Sequence, residues 1–223
     1  ISIKAIFTCT EKIPNIESLI FRFITHFVFF HELAHLIQFK NDRETLNQKI
    51  ERYQFKEEVD YSEENHLMEI DADLFAAQNL VNFIVSNWEL FPSELKNKMP
   101  IDTFLALSTS SIFLLFFELN NKEWPSMYFY SSFHPHPTVR ISYIVDLMNK
   151  LIVEHFDRQE DDYNAMMQNT FEYAAGLLNN EVKTPFIGYQ SQYKNSIEGI
   201  NEYIKTLSMA REKYKQLIQN SLY

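Results

Sequence analysis

The chain has 223 residues, a formal net charge of -10, three glycines and one cysteine. One cysteine excludes an intramolecular disulfide framework and a cysteine-based zinc cluster, and it is typical of a reducing, cytoplasmic compartment. The acidic balance excludes the basic stripe that a nucleic-acid backbone requires, so we expect no nucleic-acid partner. The length suits one domain over residues 1–223. Because so few glycines are available for tight turns, we predict a mainly α fold.

The predicted elements begin with one short strand and continue as a series of helices. Residues Ile1 to Cys9 alternate in part and are rich in β-branched side chains, which predicts a strand or small sheet with which a substrate peptide could pair. The chain begins at Ile1 rather than Met and carries no secretory signal pattern, which leaves open an excision from a longer protein. Helices are predicted over Asn15–Phe39, Arg43–Lys56, Ser62–Trp88, Ser93–Leu119, Thr138–Phe156, Asp161–Leu178 and Tyr193–Leu222, with breaks at Pro92, Trp124-Pro125, the His-Pro turn and Lys183–Gly188.

The first long helix contains an H-E-x-x-H motif, His31-Glu32-Leu33-Ala34-His35. Residues four apart stack on one face of a helix, so His31 and His35 can bind one metal ion while Glu32 stands beside its open position. This pattern predicts a zinc hydrolase with Glu32 as the general base. The alternative is a buried helix whose histidines bond to backbone carbonyls or carboxylates.

A hydrolytic zinc site needs a third protein ligand and an open position, whereas a structural site closes with four protein ligands. The metzincin pattern is excluded because Gln38 and Asn41 stand where it needs a glycine and a third histidine. Glu69 lies in a breaker-free helical segment and is followed four residues later by Asp73. We therefore predict Glu69 as the third ligand and Asp73 as the residue that orients a ligating imidazole. In the alternative there is no metal, and the helix dipole favours a cluster of acids at Glu63, Glu64, Glu69 and Asp71.

With a downstream glutamate ligand, the chain resembles a gluzincin metallopeptidase. Its segment Ser131 to Ile141 looks like the His-Pro motif of the CAAX-prenyl-protease and HtpX type, in which an arginine follows the histidine by six residues, as Arg140 follows His134. The resemblance implies a compact helical zincin-like domain in which His134 helps to stabilise the oxyanion and Arg140 holds the site together. His136 is the competing assignment. Further candidate donors to the oxyanion are Arg140, Tyr128 and Tyr130.

Two other peptidase types share parts of this pattern. The Lit-type phage-exclusion peptidases also combine H-E-x-x-H with a mostly helical domain, and the residues do not separate them from the prenyl-protease type. The ImmA/IrrE-type peptidases have a helix with a residue pattern similar to that from Glu69 to Ala76, but the His-Pro segment is not expected in them. The His-Pro segment therefore favours the prenyl-protease type.

These residues together predict a zinc-dependent endopeptidase that hydrolyses a protein or peptide substrate with a metal-activated water and with Glu32 as general base. The alternative is a catalytically silent helical interaction or regulatory domain with a structural zinc site. The intact Glu32 favours the enzyme, since a silent domain needs no base beside the metal. A regulatory segment or a partner protein is compatible with either function.

Two apolar runs, Leu19–Phe39 and Phe104–Phe117, are candidate membrane spans. The second is shorter than the roughly 20 residues that a bilayer requires, and the first carries the charged motif. We therefore predict that both are buried core helices of a soluble, cytoplasmic domain, with membrane association as the alternative.

Overall fold

The computed structural model describes residues 16–39, 61–90, 93, 96, 101–120, 125–157 and 185–213. Within these ranges the chain forms five long helices and no strand, which confirms the mainly α fold. The predicted strand at Ile1–Cys9 and the predicted helices at Arg43–Lys56 and Asp161–Leu178 lie outside the described residues. In chain order the helices are α1 Ile16–Phe39, α2 Glu63–Glu89, α3 Ile101–Leu119, α4 Pro137–His155 and α5 Pro185–Lys213.

The bounds of α1, α2 and α4 agree with the prediction to within one residue at each end. The predicted start of α5 is wrong, because the helix begins at Pro185 and runs through Gly188, where a break was predicted. A proline fits the first turn of a helix, since its missing N–H has no intrahelical acceptor there. The pattern of Pro185 and Gly188 therefore marks a helix start and not a loop.

Helix α2 lies at the centre of the described fold and packs against each of the other four helices. Its start is set locally: the Ser62 hydroxyl accepts a hydrogen bond from the backbone N–H of Asn65 at 3.3 Å, and Glu63 and Glu64 occupy the first turn. Most of its apolar side chains are buried, as the central position requires. Packing against the four neighbouring helices sets the rotation of α2, and with it the direction in which its carboxylates point.

Helices α1 and α3 are both long and apolar enough to cross a membrane by length and composition, but their surroundings differ. In the most apolar window of α3, 78% of the residues are buried, and the hydroxyl of Ser108 donates to the Leu105 carbonyl within the helix. The prediction of a core helix therefore holds for α3. For α1 it is wrong, since only 17% of the window Ser18–Gln38 is buried. Helix α1 uses one face, with Phe23 and Phe27, to contact the core.

Helix α4 brings the third sequence segment beside α2. It begins at Pro137, directly after the His-Pro turn, and its buried residues Ile141, Ile144 and Val145 pack into the main core cluster. Because this packing fixes the rotation of α4, Arg140 is directed toward the carboxylates of α2.

Candidate metal centre

Three side chains from α1 and α2 direct their metal-binding atoms to one point. The Nε2 atoms of His31 and His35 lie 3.1 Å apart, as expected for residues four apart on one helix. Glu69 reaches them from α2, with Oε1 3.4 Å from His35 Nε2 and Oε2 3.7 Å from His31 Nε2. The ligand atoms of the three residues all lie within 4.8 Å of one another. The structure therefore brings together the two histidines and the glutamate that the sequence predicted as ligands.

The second nitrogen of each imidazole faces an oxygen acceptor. His31 Nδ1 lies 3.0 Å from Asp73 Oδ1, a close electrostatic contact whose direction departs from that of a linear hydrogen bond. His35 Nδ1 lies 2.9 Å from Gln38 Oε1, and the Gln38 amide in turn donates to the Met68 carbonyl of α2 at 3.1 Å. An acceptor at Nδ1 leaves Nε2 with its lone pair free for a metal. Asp73 lies where the sequence predicted, whereas Gln38 had been considered only as evidence against a metzincin.

Gln38→Ala is expected to weaken zinc affinity by about 10- to 100-fold, because the variant no longer orients the His35 ring. The measurement is competition for zinc with a chromogenic chelator. Gln38→Glu keeps an acceptor oxygen for the His35 ring but loses the donor to the Met68 carbonyl, so retained affinity in this variant would assign the effect to the acceptor. Wild-type affinity in Gln38→Ala would show that the contact does not orient the imidazole.

Arg140 connects the two carboxylates. Its guanidinium donates twice to Asp73, from Nε to Oδ2 at 2.6 Å and from an η nitrogen to Oδ1 at 2.8 Å. The same η nitrogen lies 3.3 Å from Glu69 Oε2, and the guanidinium lies over the Phe116 ring at 4.7 Å. Because a bidentate pair fixes both partners, Arg140 holds Asp73 against His31 and Glu69 against both histidines. This position suits the role in site assembly that the resemblance implied.

The electrostatics of the cluster keep its carboxylates ionised. Burial opposes ionisation of Glu69, but Arg140 and the imidazoles of His134 and His35 outweigh it and hold the pKa of Glu69 well below its ordinary value. Burial likewise opposes ionisation of Asp73, and its Arg140 and His31 contacts lower the pKa. Glu69 lies beyond the first turn of α2, where a helix dipole acts little. Stabilisation by the helix dipole therefore accounts for Glu63 and Glu64 at the start of α2, but it does not account for the buried Glu69.

The two histidines of the His-Pro turn have different positions. His134 is half-exposed, with its Nδ1 3.3 Å from Glu69 Oε1. His136 is fully buried, accepts the backbone N–H of Thr138 at 3.0 Å, and donates from Nε2 to the Pro125 carbonyl at 3.2 Å. Burial lowers the pKa of His136 to about 4, so this imidazole is neutral near pH 7. His134 thus faces the cluster, whereas His136 caps α4 and is not a solvated turn residue.

A further histidine, His66, holds the His134 segment in place, and the sequence analysis did not predict this role. Its Nε2 donates to the Ser132 carbonyl at 2.7 Å, and its Nδ1 is hydrogen-bonded to the hydroxyl of Tyr203 on α5. Burial lowers the pKa of His66 and raises that of Tyr203, so both groups are neutral near pH 7. The segment is therefore tied to α2 and α5 two residues before His134.

The cluster opens into a cleft of ≈ 870 Å³ between α1, α2, the end of α3 and the His-Pro segment. Glu32 is exposed and lines this cleft together with His31, His35 and His134. Of the two tyrosines considered as oxyanion donors, Tyr128 also lines the cleft. Tyr130 is not among the residues that line the cleft, and its ring contacts the Tyr203 ring at 5.4 Å. Glu32, His134 and Tyr128 thus share one solvent-accessible space.

The donor set fits a zinc ion. Two imidazole nitrogens and one carboxylate are a common ligand set of catalytic zinc sites, which leave one position open. The ligand atoms converge from two helices, His35 Nδ1 is hydrogen-bonded to Gln38, and the Asp73 carboxylate lies 3.0 Å from His31 Nδ1. Both features are what a zinc site requires of its ligands and of their outer contacts.

Comparisons with known proteins find no match for the chain among protein-family models, curated proteins or solved structures. The interpretation of the centre therefore rests on its own residues.

Proposed function

We propose that this protein is a zinc-dependent endopeptidase of the gluzincin type, acting on a protein or peptide substrate in the cytoplasm. The observation that carries the proposal is the convergence of His31, His35 and Glu69 at the edge of a cleft that Glu32 also lines. A motif that arose by chance would not be expected to meet a third ligand, oriented imidazoles and an open cleft together.

The ligands would be His31 Nε2, His35 Nε2 and the Glu69 carboxylate, with Asp73 and Gln38 orienting the rings. A zinc ion held there supplies polarisation of the scissile carbonyl and a lowered pKa for water. Arg140 pairs with both Asp73 and Glu69, so its task is to keep the ligands in place.

Glu32 and His134 would carry the proton and charge movements on the protein side. The exposed Glu32 carboxylate accepts a proton from the attacking water and passes it to the nitrogen of the leaving amine. The half-exposed His134 imidazole donates an N–H to the oxygen of the tetrahedral intermediate. Both side chains line the cleft in which the scissile bond would lie.

The alternative of a structural zinc site requires a fourth protein ligand. Among the described residues, the group that could hold a metal consists of His31, His35 and Glu69. This group opens onto the cleft, an arrangement that supports hydrolysis over a purely structural role. The choice between the prenyl-protease type and the Lit type stays a prediction from the His-Pro segment.

Purified protein is expected to contain about one zinc per chain and to cleave peptides only while the metal is present, because a three-ligand site tolerates the loss of a donor poorly. Glu69→Gln should lose most of the metal, measured by elemental analysis of protein whose folding is checked by circular dichroism. Glu198→Gln, an exposed acid on α5, is the control.

Two results would contradict this assignment. Cleavage that survives stringent chelation would remove the metal from the mechanism. Full zinc content in Glu69→Gln together with loss of zinc in His66→Ala would move the third ligand to His66.

A further inference from the structure

The walls of the cleft are almost free of charge outside the candidate metal centre. Its charged lining residues are Glu32, Glu69 and Arg140, and two of them are already paired with each other. The remaining wall beyond the histidines is mainly apolar, with Phe27, Val28, Met68, Leu115, Phe116, Leu119 and Phe133. Among the residues that the structure describes, the cleft therefore offers no unpaired charge, other than the general base, with which to select a charged side chain.

Part of this apolar wall is open to solvent. Leu119 at the end of α3 is 67% exposed and Val28 on α1 is 37% exposed, although both line the cleft. Leu115 lies one turn before Leu119 on the same face of α3 and lines the cleft as well. Exposed apolar side chains that line a concave site are typical of a surface that binds an apolar ligand group.

This apolar surface lies close to the general base. Val28 and Glu32 are four residues apart on α1 and therefore neighbours on one helix face, separated by about 5–6 Å. An extended peptide advances about 3.3 Å per residue, with successive side chains on opposite sides. A side chain resting on Val28 would therefore belong to a residue within about two positions of the bond beside Glu32.

We propose that Val28, Leu115 and Leu119 form a specificity subsite that takes a large aliphatic or aromatic side chain of the substrate next to the scissile bond. The inference rests on the proposed peptidase function, whose substrate class it names. An acidic side chain is disfavoured there because the positive charge of Arg140 is already offset by the carboxylates of Asp73 and Glu69. A basic side chain would pair with Glu32, whose carboxylate must remain free to accept a proton.

The first test is digestion of a proteome-derived peptide library with the zinc-loaded enzyme, with the cleaved bonds read by mass spectrometry. One position flanking the cleaved bond should be enriched about 10- to 100-fold in Leu, Ile, Met or Phe over Asp. Leu119→Lys should shift the enrichment at that position toward Asp and Glu. Lysine suits the last turn of a helix, and Leu119 is exposed, so the variant should fold. Leu90→Lys is the control, because Leu90 is 82% exposed and does not line the cleft.

The second test does not depend on cleavage. Fluorescent peptides Ala-Ala-Leu-Ala-Ala and Ala-Ala-Asp-Ala-Ala are titrated into the zinc-loaded Glu32→Gln variant, and the leucine peptide should bind at least about tenfold more tightly. Selective binding without cleavage by the wild type would support the subsite while overturning the proposed peptidase. Equal binding of the two peptides, cleavage without an apolar preference, or an unchanged preference in Leu119→Lys would overturn the subsite.

Discussion

Glu32→Gln is expected to retain the fold and the full zinc content while lowering peptide cleavage by about 10²- to 10⁴-fold, the range that general-base catalysis contributes. The amide has the size and shape of the carboxylate but cannot accept a proton from water. Because Glu32 is exposed and lines the cleft, the substitution removes no core packing. The measurements are zinc per chain, thermal unfolding and kcat/KM on one peptide.

Glu202→Gln is the matched control for this change. Glu202 is an exposed acid on α5 and does not line the cleft, so its charge is removed without touching the proposed base. Equal loss of activity in both variants would indicate a general effect of net charge. Cleavage at the wild-type rate in Glu32→Gln would rule out the proposed mechanism.

The second large effect is expected at the His-Pro turn. His134→Ala should lower turnover by about 10²- to 10³-fold with zinc content unchanged, the size found for loss of one donor to an oxyanion. The imidazole is half-exposed and does not belong to the group of metal-binding atoms, and Glu69 keeps its contacts with Arg140 and His35 in the variant, so the fold and the zinc site should persist. The measurements are kcat and KM, since a donor used in the transition state affects kcat.

His136 is the control for this second prediction. His136→Asn keeps an acceptor for the Thr138 N–H and should retain turnover, because the imidazole is buried at the start of α4. His136→Ala loses the cap, the hydrogen bond to the Pro125 carbonyl and buried packing, so it should cost about 2–3 kcal/mol of stability with little change in the kcat of the folded protein. A larger loss of kcat in His136→Asn than in His134→Ala would transfer the catalytic role to His136. Small effects in both would leave the metal centre intact and remove the oxyanion role from this turn.

Burial was not predictable from apolar character alone. Helices α1 and α3 have similar hydropathy, 1.3 and 1.5 over their most apolar windows, yet one is 17% buried and the other 78%. In α3 the buried hydroxyls of Ser110 and Ser111 donate to carbonyls one turn earlier, so these two side chains are satisfied in the core. The neighbouring helices decide which apolar face is covered, and the sequence of a single helix does not specify how its neighbours pack against it.

The residues that hold the metal-binding side chains and the His134 segment in place also differ in whether the sequence could predict them. The sequence predicted that Asp73 lies beside the site, because residues four apart, such as Glu69 and Asp73, fall on one face of a helix. Gln38 could have been found in the same way, three residues after His35, had the helix been searched for acceptors as well as for ligands. His66 gave no such signal, since its partners Ser132 and Tyr203 are 66 and 137 residues away in the chain.

The amino-acid sequence by itself determined what depends on neighbours along one helix: the helical class, the bounds of α1, α2 and α4, and the shared face of His31 and His35. These follow from hydrogen bonds and side-chain spacing within a few residues, which local sequence contains. Only the tertiary structure decided that Glu69 meets both histidines and that His134, not His136, faces them. The physical reason is that the rotation of each helix about its axis is set by packing between distant segments, and the chemistry of the centre depends on that rotation.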